Sequence, residues 1–155
     1  MTAGSSPNHE RDRKVLSFHV GNQNYAVDIL SVRKIRGWSK PTLLPHAPAY
    51  LRGVINLRGS VLPLIDLAIR LGASENRLTH RDVIIVVRVD GLDAGLLVSA
   101  VSDILTLQHD ALQPAPGTAV DGATGFIEGM AVHDGAIIRL LDLSAVVRPQ
   151  YGLAA

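Results

Sequence analysis

The sequence predicts an all-β fold in which two five-stranded units share one hydrophobic core. Three observations carry that expectation. Glycine and proline cut the chain into short segments rich in Val, Ile and Leu, a strand pattern rather than a helical one. Asp90-Gly91 and Asp134-Gly135 are hairpin signals, because both central positions of a type I′ turn need positive φ. The chain also repeats itself. An offset of 76 lays residues 52–68 on 128–144 without a gap, matching Gly53 to Gly129, Gly59 to Gly135, Leu64 to Leu140 and Asp66-Leu67 to Asp142-Leu143. An offset of 69 pairs Tyr25–Ile35 with Ala94–Ile104, so the same order of elements occurs twice. Each unit alone is small for a barrel, which favours a common core.

Taken in order, residues 1–13 read as a polar, flexible tail without the apolar stretch of a signal peptide, and residues 14–148 as the domain. Strands are expected at Val15–Val20, Tyr25–Ile29, Lys34–Arg36, Gly53–Leu57, Ser60–Asp66, Asp82–Val89, Leu92–Val98, Ile104–Gln108, Glu128–Val132 and Ala136–Asp142. Short helices fit Leu67–Leu71 and Leu143–Val147, with Asp66 and Asp142 as their caps, and a third fits the Pro48–Leu51 turn. Pro63 inside a strand implies an edge or a bulge. Residues 72–80 read as a polar connector, 113–124 as a loop and 149–155 as a C-terminal tail. Ile65 and Leu141, aligned by the repeat, both belong in the core.

Composition narrows the function. The chain is 155 residues long, 47% apolar, and has no cysteine, which excludes disulfides, zinc–thiolate sites and cysteine nucleophiles. A formal charge of +1 gives no bulk electrostatic reason to expect nucleic-acid or membrane binding. The longest aliphatic run, Val83–Val87, is far short of the ~20 residues a bilayer span requires. These features suit the cytoplasm. There is no phosphate-binding glycine loop, no dinucleotide fingerprint and no nucleophile elbow. His80-Arg81-Asp82 copies the start of a kinase catalytic loop but runs straight into an apolar strand. His133 beside Asp134 reads as a polar turn pair, and no histidine spacing suggests a metal. Asp66, Asp142 or a histidine could serve a small β-barrel enzyme only if a deep pocket joined them. Trp38 fits either a recognition aromatic or partial burial beside Pro41.

Arg58 is the residue that fold physics leaves unexplained. It stands in the turn between two strands, where its repeat partner is Asp134, so the turn accepts either sign. Residues 25–67 resemble the CheW family of bacterial chemotaxis coupling proteins. The likeness is carried by Val27-Asp28-Ile29, Ile35-Arg36-Gly37, Leu44-Pro45, Gly53-Val54-Ile55-Asn56-Leu57-Arg58-Gly59 and Pro63-Leu64-Ile65-Asp66-Leu67, and runs more weakly from Val15 to Val147.

The resemblance implies two five-stranded SH3-like β-barrels around a shared core, interleaved or sequential, with no catalytic activity, cofactor or metal. It implies an adaptor in two-component signal transduction that joins the cytoplasmic tips of chemoreceptors (methyl-accepting chemotaxis proteins) to the regulatory domain of the histidine kinase CheA. Such a protein is cytoplasmic and recruited to membrane-associated receptor arrays, without nucleic-acid binding or direct membrane insertion. An adaptor of a chemosensory-like pathway controlling pili, development or gene expression fits the same residues. By the resemblance Arg58, Val32, Lys34, Gly53 and Asn56 form the receptor or kinase interface. Lys34 departs from the family pattern, which commonly has an acid before Ile35-Arg36-Gly37. Two readings fit this departure: a partner matched to a cation, or a solvated lysine that contributes almost nothing.

Overall fold

The computed structural model describes residues 12–72, 82–114 and 124–148. The expected tails lie largely or wholly outside the described residues, as do nearly all of the polar connector and most of the 113–124 loop. Ten strands form: β1 (Arg13–Val20), β2 (Gln23–Asp28), β3 (Val32–Gly37), β4 (Leu51–Leu57), β5 (Ser60–Asp66), β6 (Val83–Val89), β7 (Leu92–Val98), β8 (Ala100–Leu107), β9 (Ile127–His133) and β10 (Ala136–Leu141). Helices α1 (Leu67–Arg70) and α2 (Leu143–Val147) follow the two long hairpins. The Pro48–Leu51 segment is a correction to the sequence reading. It is a turn closed by the Leu51 N–H donating to the Pro48 carbonyl at 3.0 Å, and Leu51 already opens β4.

The strands make two five-stranded SH3-like barrels, in the orders β8-β1-β2-β10-β9 and β3-β6-β7-β5-β4. Each barrel draws on both repeats. Replacing every strand by its repeat equivalent turns one order into the other, so the repeats are interleaved. The equivalence extends to the irregularities. Arg33 is the extra residue of a bulge on β3, and Ser102, its equivalent, is the extra residue on β8. Arg52 and Glu128 stand in the corresponding bulges of β4 and β9. Pro63 lies in β5 where only β4 flanks it. The parallel pairing with β7 begins one residue later, at Leu64, so the missing N–H costs no ladder bond on that side.

Interleaving decides which residues are apolar. On β6, Ile84 and Val86 point into their own barrel, whereas Ile85 and Val87 point into a core shared by both barrels. Both faces of the strand are dry, so Val83–Val87 carries no alternation. The shared core takes Leu16, Phe18 and Val27 from one barrel and Ile85, Val87 and Leu96 from the other, closed by Ile65 and Leu141, which are 4% and 2% exposed. Asp66 and Asp142 cap α1 and α2, accepting from the Ile69 and Ala145 N–H groups, each at 3.3 Å.

Among the buried charged side chains, Arg70 is the one enclosed by aromatic rings. The Tyr50 and Phe126 carbonyls, equivalent in the repeat, accept the Asp66 and Asp142 N–H groups at 2.7 and 2.8 Å. Between their rings lies the Arg70 guanidinium, 4.1 Å from the Tyr50 centroid and 4.9 Å from that of Phe126. Its Nε donates to the Val146 carbonyl at 2.9 Å, and Nη2 donates to Ala145 at 3.2 Å and Arg148 at 2.6 Å. Arg70, on the first helix, thereby satisfies carbonyls at the end of the second. Burial pulls its pKa below the ordinary arginine value, and Tyr50 works against that shift.

Two stability predictions follow from this packing. Ile65→Ala and Leu141→Ala should each cost ~2–5 kcal/mol in denaturant melts. A loss below ~0.5 kcal/mol, the size usual at exposed sites, would mean that the shared core is wrongly assigned. Arg70→Met keeps the apolar stem but strips the α2 carbonyls of their donors. It should cost ~1–3 kcal/mol, with Arg70→Lys recovering little because it has no fork. A melt unchanged in both variants would deny the capping role.

Candidate functional site: the outer edge of one barrel

All five expected interface residues belong to the β3–β7 barrel. Val32 and Lys34 lie on one edge strand, β3; Gly53 and Asn56 lie on the other, β4; Arg58 is in the β4–β5 turn. Lys34, Asn56 and Arg58 are exposed, Val32 is half-buried and Gly53 is buried.

The β4–β5 turn is the informative part. Arg58 and Gly59 have φ of 54° and 85°, nearly the values of Asp90-Gly91 (53°, 80°) and Asp134-Gly135 (52°, 79°). Three hairpins thus use one backbone, with both central residues at positive φ. Aspartate tolerates that conformation because its short polar side chain bonds locally; arginine pays more for it. Asn56 supplies local support, its Oδ1 accepting the Gly59 N–H at 2.9 Å. The Arg58 guanidinium makes no ion pair or side-chain hydrogen bond among the described residues. Arg58 is thus exposed, in a backbone conformation less favourable for arginine than for aspartate, and without an ion pair or side-chain hydrogen bond among the described residues.

Gly53 has a different cause. Its φ is 141°, and a Cβ there would lie 2.2 Å from the Thr42 carbonyl oxygen. Thr42 crosses directly over it, trading hydrogen bonds with Val54 at 2.8 and 2.9 Å. The equivalent Gly129 lies under Gln113, where a Cβ would sit 3.1 Å from the Gln113 carbonyl oxygen. Packing accounts for both glycines, so Gly53 shapes the edge and presents no side chain to a partner. Val32 is likewise structural in part. It packs against the shared core, and its N–H donates to the Ile29 carbonyl, ending the 3₁₀ turn by which the chain crosses between barrels.

Two ion-pair systems escaped the sequence reading. Arg52, the β4 bulge residue, holds the fully buried Asp66 through Nε and Nη2, both at 2.9 Å from Oδ2. Arg13 bonds Glu128 and also Asp28, the latter at 3.3 Å, pinning the crossing segment. Burial opposes the Arg13 charge, but Glu128 and then Asp28 prevail and raise its pKa. The spacing to a bulge was the available signal, and bulges are hard to read before the pairing is known.

The carboxylates weighed for catalysis have different surroundings. Asp66 is sealed behind Arg52, while Asp142 lines a groove of about 160 Å³ with Arg13, Asp28 and Glu128. Among the described residues no group of three or more His, Asp or Glu could hold a metal ion, and no helix is long and apolar enough to cross a membrane. His133 Nε2 is 3.5 Å from Asp134, a turn pair.

Comparison with known proteins gives a consistent result. A family model described as the CheW-like domain matches residues 14–150. A probable chemotaxis protein CheW of Rhizobium etli is 48% identical over 138 residues, covering 89% of both chains. The chemotaxis protein CheW of Rhizobium meliloti is 48% identical over 134 residues, covering 86% of both. Among solved structures, the scaffolding protein TtCheW from Thermoanaerobacter tengcongensis superimposes with a TM-score of 0.81 at 30% identity, covering 89% of both chains. Fold, repeat, signature and relatives agree: the chain belongs to the CheW-like family of chemotaxis proteins.

Proposed function

We propose that this chain is a non-catalytic scaffold that couples chemoreceptor tips to the regulatory domain of the histidine kinase CheA, and that Arg58, Lys34, Asn56 and Val32 meet the partner on a surface that Gly53 shapes. The observation that carries the site is Arg58 itself: an exposed guanidinium held at φ 54° in a turn whose two counterparts use aspartate. Its planar fork suits directed hydrogen bonds to carboxylates or backbone carbonyls on a helical hairpin tip. The protein would act in the cytoplasm at membrane-associated arrays, contributing geometry rather than chemistry.

Coupling is tested by CheA autophosphorylation with receptor-containing membranes, with and without this chain. Addition should raise the rate; equal rates would defeat the reading. The site is tested by separating stability from binding at one residue. Arg58→Asn should hold or raise stability, by up to ~1 kcal/mol, because asparagine enters the left-handed region more easily. The same variant should weaken binding to the receptor tip roughly 10-fold, the size expected for a charged hydrogen bond lost at an interface. Undiminished receptor affinity would remove Arg58 from the interface.

A further inference from the structure

The two barrels match strand for strand and bulge for bulge, yet equivalent positions carry opposite charge. Lys34 pairs with Val86 on β6; its equivalent Asp103 pairs with Ser17, the equivalent of Val86, on β1. Arg58 corresponds to Asp134 and Arg52 to Glu128. From Ile29 to Ile65 the sequence has six Lys or Arg and no Asp or Glu, whereas the equivalent stretch, Val98 to Leu141, has five Asp or Glu and one Arg. Five of those six cations, Arg33, Lys34, Arg36, Lys40 and Arg58, make no ion pair among the described residues. Arg13, Arg52 and Arg88 each hold a carboxylate. Arg33, Lys34 and Arg36 lie on β3 with Lys40 just beyond it, Arg58 lies in the β4–β5 turn, and no acid among the described residues pairs with them.

A segment that docks on one barrel meets the same strand order and bulges on the other, so strand arrangement alone discriminates poorly. We propose that the charge inversion is what tells the two barrels apart: the β3 edge and the β4–β5 turn take an acidic protein segment, and Asp103 and Asp134 repel that segment from the equivalent face. The inference rests on the adaptor reading only for the source of the segment, the receptor tip; the charge-matched docking itself does not need it.

The test uses the isotope-labelled chain and a polyglutamate peptide, followed by NMR at about 0.02 M and 0.15 M salt, where the screening length shortens severalfold. Shifts should cluster at residues 32–40 and 56–60 and fade at the higher salt. Lys34→Asp with Arg58→Asp should weaken peptide binding at least 10-fold. Asp103→Lys with Asp134→Arg installs side chains that the equivalent backbone already carries, and should create a second site, changing the stoichiometry from one peptide to two. A swapped chain that folds and still binds one peptide overturns the inference. So does unchanged affinity in the Lys34/Arg58 variant, which decides the matter alone if the swap does not fold. Binding to phosphatidylglycerol vesicles with none to the peptide would also overturn it, in favour of a lipid surface. A receptor-tip fragment forms the second arm. Failure of the tip with success of the peptide would sink the receptor assignment and leave the charge selection standing.

Discussion

The Arg70 guanidinium, held between the Tyr50 and Phe126 rings, is the contact on which the rest of the architecture turns. Interleaving forces each barrel to borrow strands from both repeats, so the apolar core between them has to close over elements that are far apart in sequence. Apolar packing supplies most of that energy but little direction. Arg70 supplies direction: three hydrogen bonds from the first helix to carbonyls at the end of the second. It breaks the pseudo-symmetry at its centre, since its repeat equivalent, Val146, is one of the residues whose carbonyl it binds.

With the interior settled in this way, the barrel edges are free to differ. Gly53 and Gly129 do the same work under Thr42 and Gln113. Asp66 and Asp142 cap equivalent helices. The divergence is at Lys34 against Asp103 and Arg58 against Asp134, positions that neither core nor turn geometry fixes. A duplicated fold thus offers one strand arrangement twice, with opposite charge at these two pairs of positions.

Much of this was legible in the sequence. Ten strands could be placed because β-branched runs broken by Gly and Asp leave few alternatives, and the helix caps followed from aligned Asp66 and Asp142. The interleaving was not legible. A run such as Val83–Val87 says that both faces of β6 are dry, but not which repeat supplies each cover. Arg70 was missed for a related reason: an arginine in a short helix ordinarily reads as a solvated residue. Its alignment with apolar Val146 was the available signal. Among the site residues, Arg58 stood out because the repeat offered a control for its turn. Gly53, expected at the interface, also has a packing cause that the sequence did not reveal: Thr42 crosses its strand at close range.

The proposed docking has a duplicated scaffold present β3 and the Arg58 turn, and not their repeat equivalents, to a receptor tip. Hydrogen–deuterium exchange of the chain alone and bound to the tip tests it most directly. The account predicts slowed exchange along β3 and the Arg58 turn, with β8 and the Asp134 turn unchanged. Equal protection of both edges, or protection of β8 and the Asp134 turn alone, would contradict it.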